Sequence, residues 1–218
     1  MVSRETSGEL PAWLDPAKKA LERYQDILAG PGLERGLMGP REMPRLWDRH
    51  ILNCAVVAEP ELGLIPTGAL VADVGSGAGL PGLVWAITRP DLRMILIEPL
   101  LRRATFLTEA VIDLGLSDRV TVLRARAEKV LAIPSWTGVD IVTARAVAPM
   151  ERLLGWTMPL LKPVGDLLAL KGSSAQSEID RATDAIGQFG ITDISVLTCG
   201  TGVVEPPTTV VRARRAFR

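Results

Sequence analysis

The run Val71-Ala72-Asp73-Val74-Gly75-Ser76-Gly77-Ala78-Gly79-Leu80-Pro81-Gly82 decides the fold of this chain. Leu70 to Val74 has strand character with Asp73 among apolar residues, glycines then alternate with small residues, and an apolar, helix-like segment opens at Leu80. Strand, glycine turn and helix follow one another without a spacer. A turn this tight takes residues free to adopt positive φ, and a missing Cβ lets backbone N–H groups approach a ligand. The N-terminus of the following helix adds partial positive charge at the same place.

The spacing of the glycines separates two readings. A dinucleotide fingerprint, G-x-G-x-x-G, needs its third glycine where this chain has Leu80. The pattern hydrophobic-acidic-x-G-x-G-x-G resembles instead motif I of the S-adenosylmethionine-dependent methyltransferases with a Rossmann-like sheet. A purely structural turn is the alternative for the glycines taken alone. About twenty residues on, however, Met94-Ile95-Leu96-Ile97 ends in Glu98, the interval at which an acid meets ribose hydroxyls.

Outward from this unit the chain alternates short apolar runs with helical segments, the pattern of a parallel sheet covered on both faces. Strands are predicted at 69–74, 94–98, 120–124, 139–143 and 166–170, and helices near 80–87, 101–115, 127–132, 149–156 and 176–189. The last two strands, about 193–198 and 208–214, are separated by too little chain for a crossover helix and should pair antiparallel at the sheet edge. The expected fold class is therefore α/β, a Rossmann-like seven-stranded methyltransferase fold. Before it, 16–29 reads as a helix stopped by Gly30-Pro31-Gly32, and a second helix runs from about Pro44 towards Pro60. The organisation expected is a helical N-terminal extension, 1–66, on a methyltransferase domain, 67–218, in one compact unit.

At 218 residues and 47% hydrophobic composition, the chain can bury a full core without a second one. Cys54 and Cys199 match no metal or redox spacing, which points to a reduced protein with two small core residues and no metal site, a pairing of the two thiols being the alternative. No stretch has the length and apolarity of a membrane span or of a signal-peptide core, so a cytoplasmic location and no membrane partner are expected. A formal net charge of zero argues against a protein that coats any phosphate backbone, but leaves room for local patches. Arginine outnumbers lysine, and arginine is the better bidentate phosphate ligand.

The segments RHILNC, DVGSGAGLPG, RAEKV, DIVTARAVAPM and LALKG, in this order and at these intervals, resemble the glucose-inhibited division protein B family over roughly residues 20 to 212. The resemblance implies a bacterial small-subunit (16S) ribosomal RNA guanine-N7 methyltransferase using S-adenosyl-L-methionine, with ribosomal RNA, within a ribosomal particle, as partner and no obligate protein partner. It places cofactor-binding positions at Gly75 and Leu80 in the turn, at Ala127 and Glu128, and at Arg145. Gly77 and Gly79 belong to the same turn, and Glu98 is read as the ribose acid, with a plain surface acid as the alternative. Glu128 has a second reading as a helix N-terminal acid with only a dipole role.

Arg145, between Ala144 and Ala146, is either the partner of a structural acid or a substrate-positioning residue, and the small neighbours favour the site. Lys171 before Gly172 is aimed at RNA phosphate or the target base, or is a solvated turn lysine. His50, the chain's single histidine, is either a packing residue or part of the site, as the family's similar Arg-His-Ile-Leu run implies. Arg41, Arg45 and Arg49 form either a phosphate-facing stripe or a solvated face. Arg212, Arg214, Arg215 and Arg218 either touch RNA or belong to a frayed tail. The chain departs from the family's pattern at Gly36-Leu37-Met38-Gly39, Asn53-Cys54 and Ala144, which bears on RNA contacts rather than on the cofactor turn.

What the sequence lacks also narrows the chemistry. Enzymes that methylate exocyclic amines resemble one another in a D/N-P-P-aromatic segment, where this chain has Arg145-Ala146-Val147-Ala148-Pro149. Carbon methylation of pyrimidines needs a placed cysteine nucleophile, and neither cysteine is in position. Guanine N7 carries a free lone pair and needs no base, so positioning supplies the rate. A methyltransferase of the same fold acting on a small molecule or protein, and a non-catalytic cofactor- or RNA-binding module, remain open rivals at this level.

Overall fold

The computed structural model describes residues 10–215. Among these, seven strands form one sheet in the order β3-β2-β1-β4-β5-β7-β6. They are β1 (Leu70–Val74), β2 (Arg93–Ile97), β3 (Val120–Leu123), β4 (Val139–Arg145), β5 (Leu161–Lys171), β6 (Ile191–Cys199) and β7 (Thr208–Arg215). The first five pair in parallel, and β7 lies antiparallel between β5 and β6. The short 200–207 connection dictates that last pairing. The helices are α1 (Lys18–Ile27), α2 (Asn53–Ala55), α3 (Gly82–Thr88), α4 (Leu101–Asp113), α5 (Ala127–Val130), α6 (Met150–Thr157), α7 (Ala175–Arg181) and α8 (Thr183–Gln188).

Both faces of the sheet are buried, and successive residues of each central strand feed different cores. Val71, Ile141 and Leu168 pack with Leu14, Leu21, Tyr24, Leu83 and Trp85, so the N-terminal helices share a core with α3 and α4. Ala72, Val142 and Ala169 face the other way, onto Met150, Leu153 and Leu154 of α6. Strands buried on both faces read as continuous apolar runs, which is why they were visible in the sequence. The strand order reverses beside β1, between β2 and β4, and opens a crevice at the carboxyl ends where a ligand binds in such sheets.

Four local expectations are corrected. The first helix does not stop at Gly30: a π-helical turn, Leu28–Gly32, carries it past Pro31, since a widened turn tolerates the missing N–H. Strand β4 runs to Arg145, which ends the strand instead of following it. Strand β5 begins at Leu161, five residues early, because Leu161 pairs with Val139 before a register shift. Gly165 sits at that shift, where a Cβ would lie 2.8 Å from the Asp140 carbonyl oxygen. The helix predicted over 176–189 is broken at Ala182 into α7 and α8.

Candidate active site

Gly75, Gly77 and Gly79 have φ of +71°, +57° and +98°, all in the left-handed region that side chains resist. The turn is held by its own backbone and by the end of β2. The N–H groups of Gly75 and Ser76 both donate to the Ile97 carbonyl, and those of Gly79 and Leu80 to the Ser76 carbonyl. Few N–H groups therefore remain to cradle a ligand. The N-terminus of α3 is not free for one either: Gly82 N–H donates to Asp73 Oδ2 at 3.1 Å. Tyr24, fully buried on α1, donates its hydroxyl to the Ala78 carbonyl at 2.7 Å and ties the N-terminal segment to the turn. In front of Gly77 the space is open, since an added Cβ would meet only the Gly75 carbonyl oxygen, at 3.8 Å.

Two acids stand behind this turn. Glu98 is 1% exposed, and its two oxygens accept from Gly77 N–H and Leu100 N–H, each at 3.0 Å. Each carboxylate oxygen has a second lone pair, so the staple leaves acceptor capacity for a ligand. Asp73 is fully buried, and its Oδ1 has no partner. Burial, aided by Glu98, pushes the Asp73 carboxyl up to about 7 against the pull of the Gly82 N–H and Arg145. Ala127, buried, and Glu128, exposed, open α5 just beyond β3, beside the end of β2.

The structure brings His50 and Arg145 together. The Arg145 guanidinium donates to His50 Nδ1 at 2.5 Å and approaches the Cys54 Sγ at 3.1 Å and the His50 carbonyl at 3.4 Å. On the far side of the ring, His50 Nε2 lies 2.6 Å from Glu42 Oε2. Arginine has no acceptor to offer, so Nδ1 carries the lone pair and Nε2 the proton. Burial holds the His50 pKa below its ordinary value; Arg145 lowers it too, while Glu42 raises it. The His50 hydrogen bond in turn pulls the Glu42 carboxyl down. Sequence reasoning missed Glu42; its eight-residue offset from His50 crosses a 3-10 segment, Pro40–Arg45, and a π-helical one, Leu46–Leu52, so helical periodicity gave no signal.

Lys171 is largely buried and does not project freely. Its Nζ donates to the Ala148 carbonyl and to Glu178 Oε2, both at 2.7 Å, and so fastens the segment after β4. That segment turns at Ala146, a non-glycine residue with φ +53°, and lays Val147 on Gly75, where an added Cβ would come within 2.9 Å of Val147 Cγ2. Beyond it lies an open cleft of about 1040 Å³ lined by Arg45, Arg49, Arg145, Lys171, Glu205 and Thr208 among others. The cleft does not include the glycine turn, Glu98 or Ala127-Glu128. The 145–149 segment separates the two sites. Arg41 is exposed but outside the cleft lining.

The C-terminal arginines are not a frayed tail. Arg212 and Arg214 sit in β7 and both bond Asp166, at 2.6–3.0 Å. Asp166 lies five residues before Lys171 along β5, about 17 Å from the site edge at strand rise. The Arg215 side chain and Arg218 lie outside the described residues. Cys54 and Cys199 are free and buried, burial raising both thiols, Cys199 to about 11. Among the described residues no cluster of His, Cys, Asp or Glu could hold a metal ion, and no helix is long and apolar enough to cross a membrane.

The fold first defines a class. An S-adenosylmethionine-dependent methyltransferase from Aquifex aeolicus superposes with a TM-score of 0.53 at 21% identity, covering 81% of this chain and 98% of that one. An S-adenosylmethionine-dependent O-methyltransferase from Thermotoga maritima does so with a TM-score of 0.55 at 14% identity, over 81% of this chain and 71% of its own. These likenesses are of fold alone, and the fold is that of the Rossmann-like methyltransferases. The family follows from sequence. The model of rRNA small subunit methyltransferase G matches residues 17–205. Proteins named Ribosomal RNA small subunit methyltransferase G are 57% identical over 199 residues in Pseudarthrobacter chlorophenolicus and 56% over 191 residues in Streptomyces avermitilis. The alignments cover 91% and 87% of this chain and 87% and 77% of those relatives. A third, from a Nocardioides species, is 52% identical over 216 residues, 95% of this chain and 83% of its own. This chain belongs to the rRNA small subunit methyltransferase G family.

Proposed function

We propose that this chain transfers a methyl group from S-adenosylmethionine to N7 of a guanine in small-subunit ribosomal RNA. One observation carries the choice of acceptor: the lone pair of the single histidine is committed to Arg145, so no imidazole base faces the substrate. N7 needs none, because its lone pair is available at neutral pH, and orientation of the reactants is worth up to about 7–11 kcal/mol. An exocyclic amine or hydroxyl acceptor must instead lose a proton.

The residues fit the cofactor. A turn that spends its N–H groups on the Ile97 and Ser76 carbonyls and on Glu98 suits a ligand without phosphate, and the Glu98 carboxylate behind it suits one that is cationic. Glu98 would accept from the ribose hydroxyls with its remaining lone pairs. Gly75, Gly77, Gly79 and Leu80 would line the methionine side, and Ala127 with Glu128 the adenine side. Bound there, S-adenosylmethionine supplies an electrophilic methyl group on a sulfonium.

The chain's own side chains then orient the acceptor. Arg145 faces both the cofactor side and the cleft and binds the guanine, while Lys171 holds the intervening segment through Ala148. The cleft has the size of a pocket for an extruded nucleotide. Arg45 and Arg49 on its wall suit the flanking phosphates. The segment 1–66 supplies these arginines with His50, and 67–218 supplies the cofactor turn, so the two work as one unit. The buried free thiols suit a reducing, cytoplasmic setting.

The test uses RNA transcripts and small ribosomal subunits, with the product located by nuclease digestion and mass spectrometry. Replacing the target guanine by 7-deazaguanine, which puts C–H in place of N7, should leave RNA binding intact and abolish methylation. A methylated deaza nucleotide would overturn the N7 assignment.

A further inference from the structure

The arrangement around His50 has a part that methyl transfer itself does not need. Glu42 is not among the residues lining the cleft, and its carboxylate is spent on the Nε2 edge of a ring that is 9% exposed. The opposite edge of that ring is the closest partner of Arg145. A neutral imidazole has two tautomers, and only the one protonated at Nε2 can accept from a guanidinium at Nδ1. A carboxylate at Nε2 selects that tautomer, because it requires a proton there. In the other tautomer Nδ1–H would oppose the Arg145 N–H groups, and Nε2 would oppose the carboxylate.

We infer that Glu42 is a positioning residue that fixes the His50 tautomer and, through it, holds the Arg145 guanidinium at the cleft. The other charges around the ring do not replace it. Arg49, on the same π-helical segment as His50, is itself 3.6 Å from Glu42 Oε1, and Arg45 from the preceding 3-10 segment also bears on Glu42. From β4 only Arg145 faces the ring, and from α2 the Cys54 thiol, kept neutral by burial, touches Arg145. Among the described residues Glu42 is thus the negative charge on the ring. In the kinetic sense the inference rests on Arg145 serving RNA methylation, but the tautomer is testable without any turnover.

Because His50 is the single histidine, ring nitrogen NMR of the full chain reports it without assignment. In the wild type the neutral ring should show the Nε2–H tautomer and titrate below the ordinary histidine value. Glu42→Gln keeps an acceptor at Nε2 but removes the charge that raises the pKa. The tautomer should persist and the titration should move lower still. Glu42→Ala should mix the tautomers. An Nδ1–H ring in the wild type, or a His50 titration indifferent to Glu42→Gln, would overturn the inference.

In the RNA assay, Glu42→Ala should lower kcat/KM about tenfold through misplacement of Arg145, with thermal unfolding still cooperative. Glu42→Gln should recover most of the loss and shift the acid limb of the pH profile downward. Equal impairment of both variants with an unmoved acid limb would assign Glu42 to the fold or to RNA instead. If the wild type failed to methylate RNA at all, the proposed function would fall while the NMR result still decided the tautomer.

Discussion

The glycine turn and the arginine-lined cleft sit on opposite sides of one short segment, 145–149, and are built on opposite principles. In the turn nearly every backbone donor is satisfied internally, and Glu98 spends both oxygens on Gly77 and Leu100 N–H. In the cleft, Arg45 and Arg49 project from the N-terminal segment with solvent-exposed heads. A closed hydrogen-bond network gives a rigid surface of fixed shape, suited to one small cofactor. Exposed arginines give charge with adaptable reach, suited to a phosphate backbone. Arg145 lines the cleft but, unlike Arg45 and Arg49, is held in place, by His50 and Cys54.

This contrast can be broken from either side. The largest effect is expected for Gly77→Val, which places a β-branched residue at φ +57° and fills the open space in front of the turn. S-adenosylhomocysteine binding should fall below detection by titration calorimetry while RNA affinity persists; an unchanged cofactor isotherm would remove the turn from the site.

Glu98→Ala comes next. Loss of charge-assisted bonds worth about 1.5–3 kcal/mol should weaken cofactor binding roughly tenfold to 150-fold. Because the same carboxylate staples Gly77 and Leu100, the melting temperature should drop as well. If RNA affinity fell in proportion, Glu98 would belong to the other side of the comparison.

The smallest effect sharpens the boundary of the RNA surface. Arg45→Ala with Arg49→Ala should reduce RNA affinity and flatten its salt dependence by about two phosphate contacts. Arg212→Ala, which removes a partner of Asp166 away from the site edge, should leave that salt dependence unchanged and cost only stability. Equal salt slopes for the two sets of variants would extend the RNA surface along β7.

The two sides also differ in how far they could be read from the chain alone. The glycine turn and Glu98 lie within one strand-helix-strand unit, and their spacing is set by the length of that unit, so residue order carries them. The alternation of doubly buried strands and the short 200–207 connection likewise fixed the parallel sheet with its antiparallel edge. Contacts chosen across the fold were not legible. Arg145 meets His50 over 95 residues, because sheet order lays the end of β4 against the N-terminal segment. Lys171 was open between substrate and solvent until Glu178 and Ala148 closed around it. Arg212 and Arg214 were open between RNA contact and a basic tail until β7, inserted between β5 and β6, brought Asp166 beside them. A charged side chain in the sequence has a charge but no partner; the partner is settled by which elements pack together. The sequence thus determined the fold, the family and the glycine turn, and the tertiary structure alone decided which cations are committed to partners and which stay exposed at the cleft.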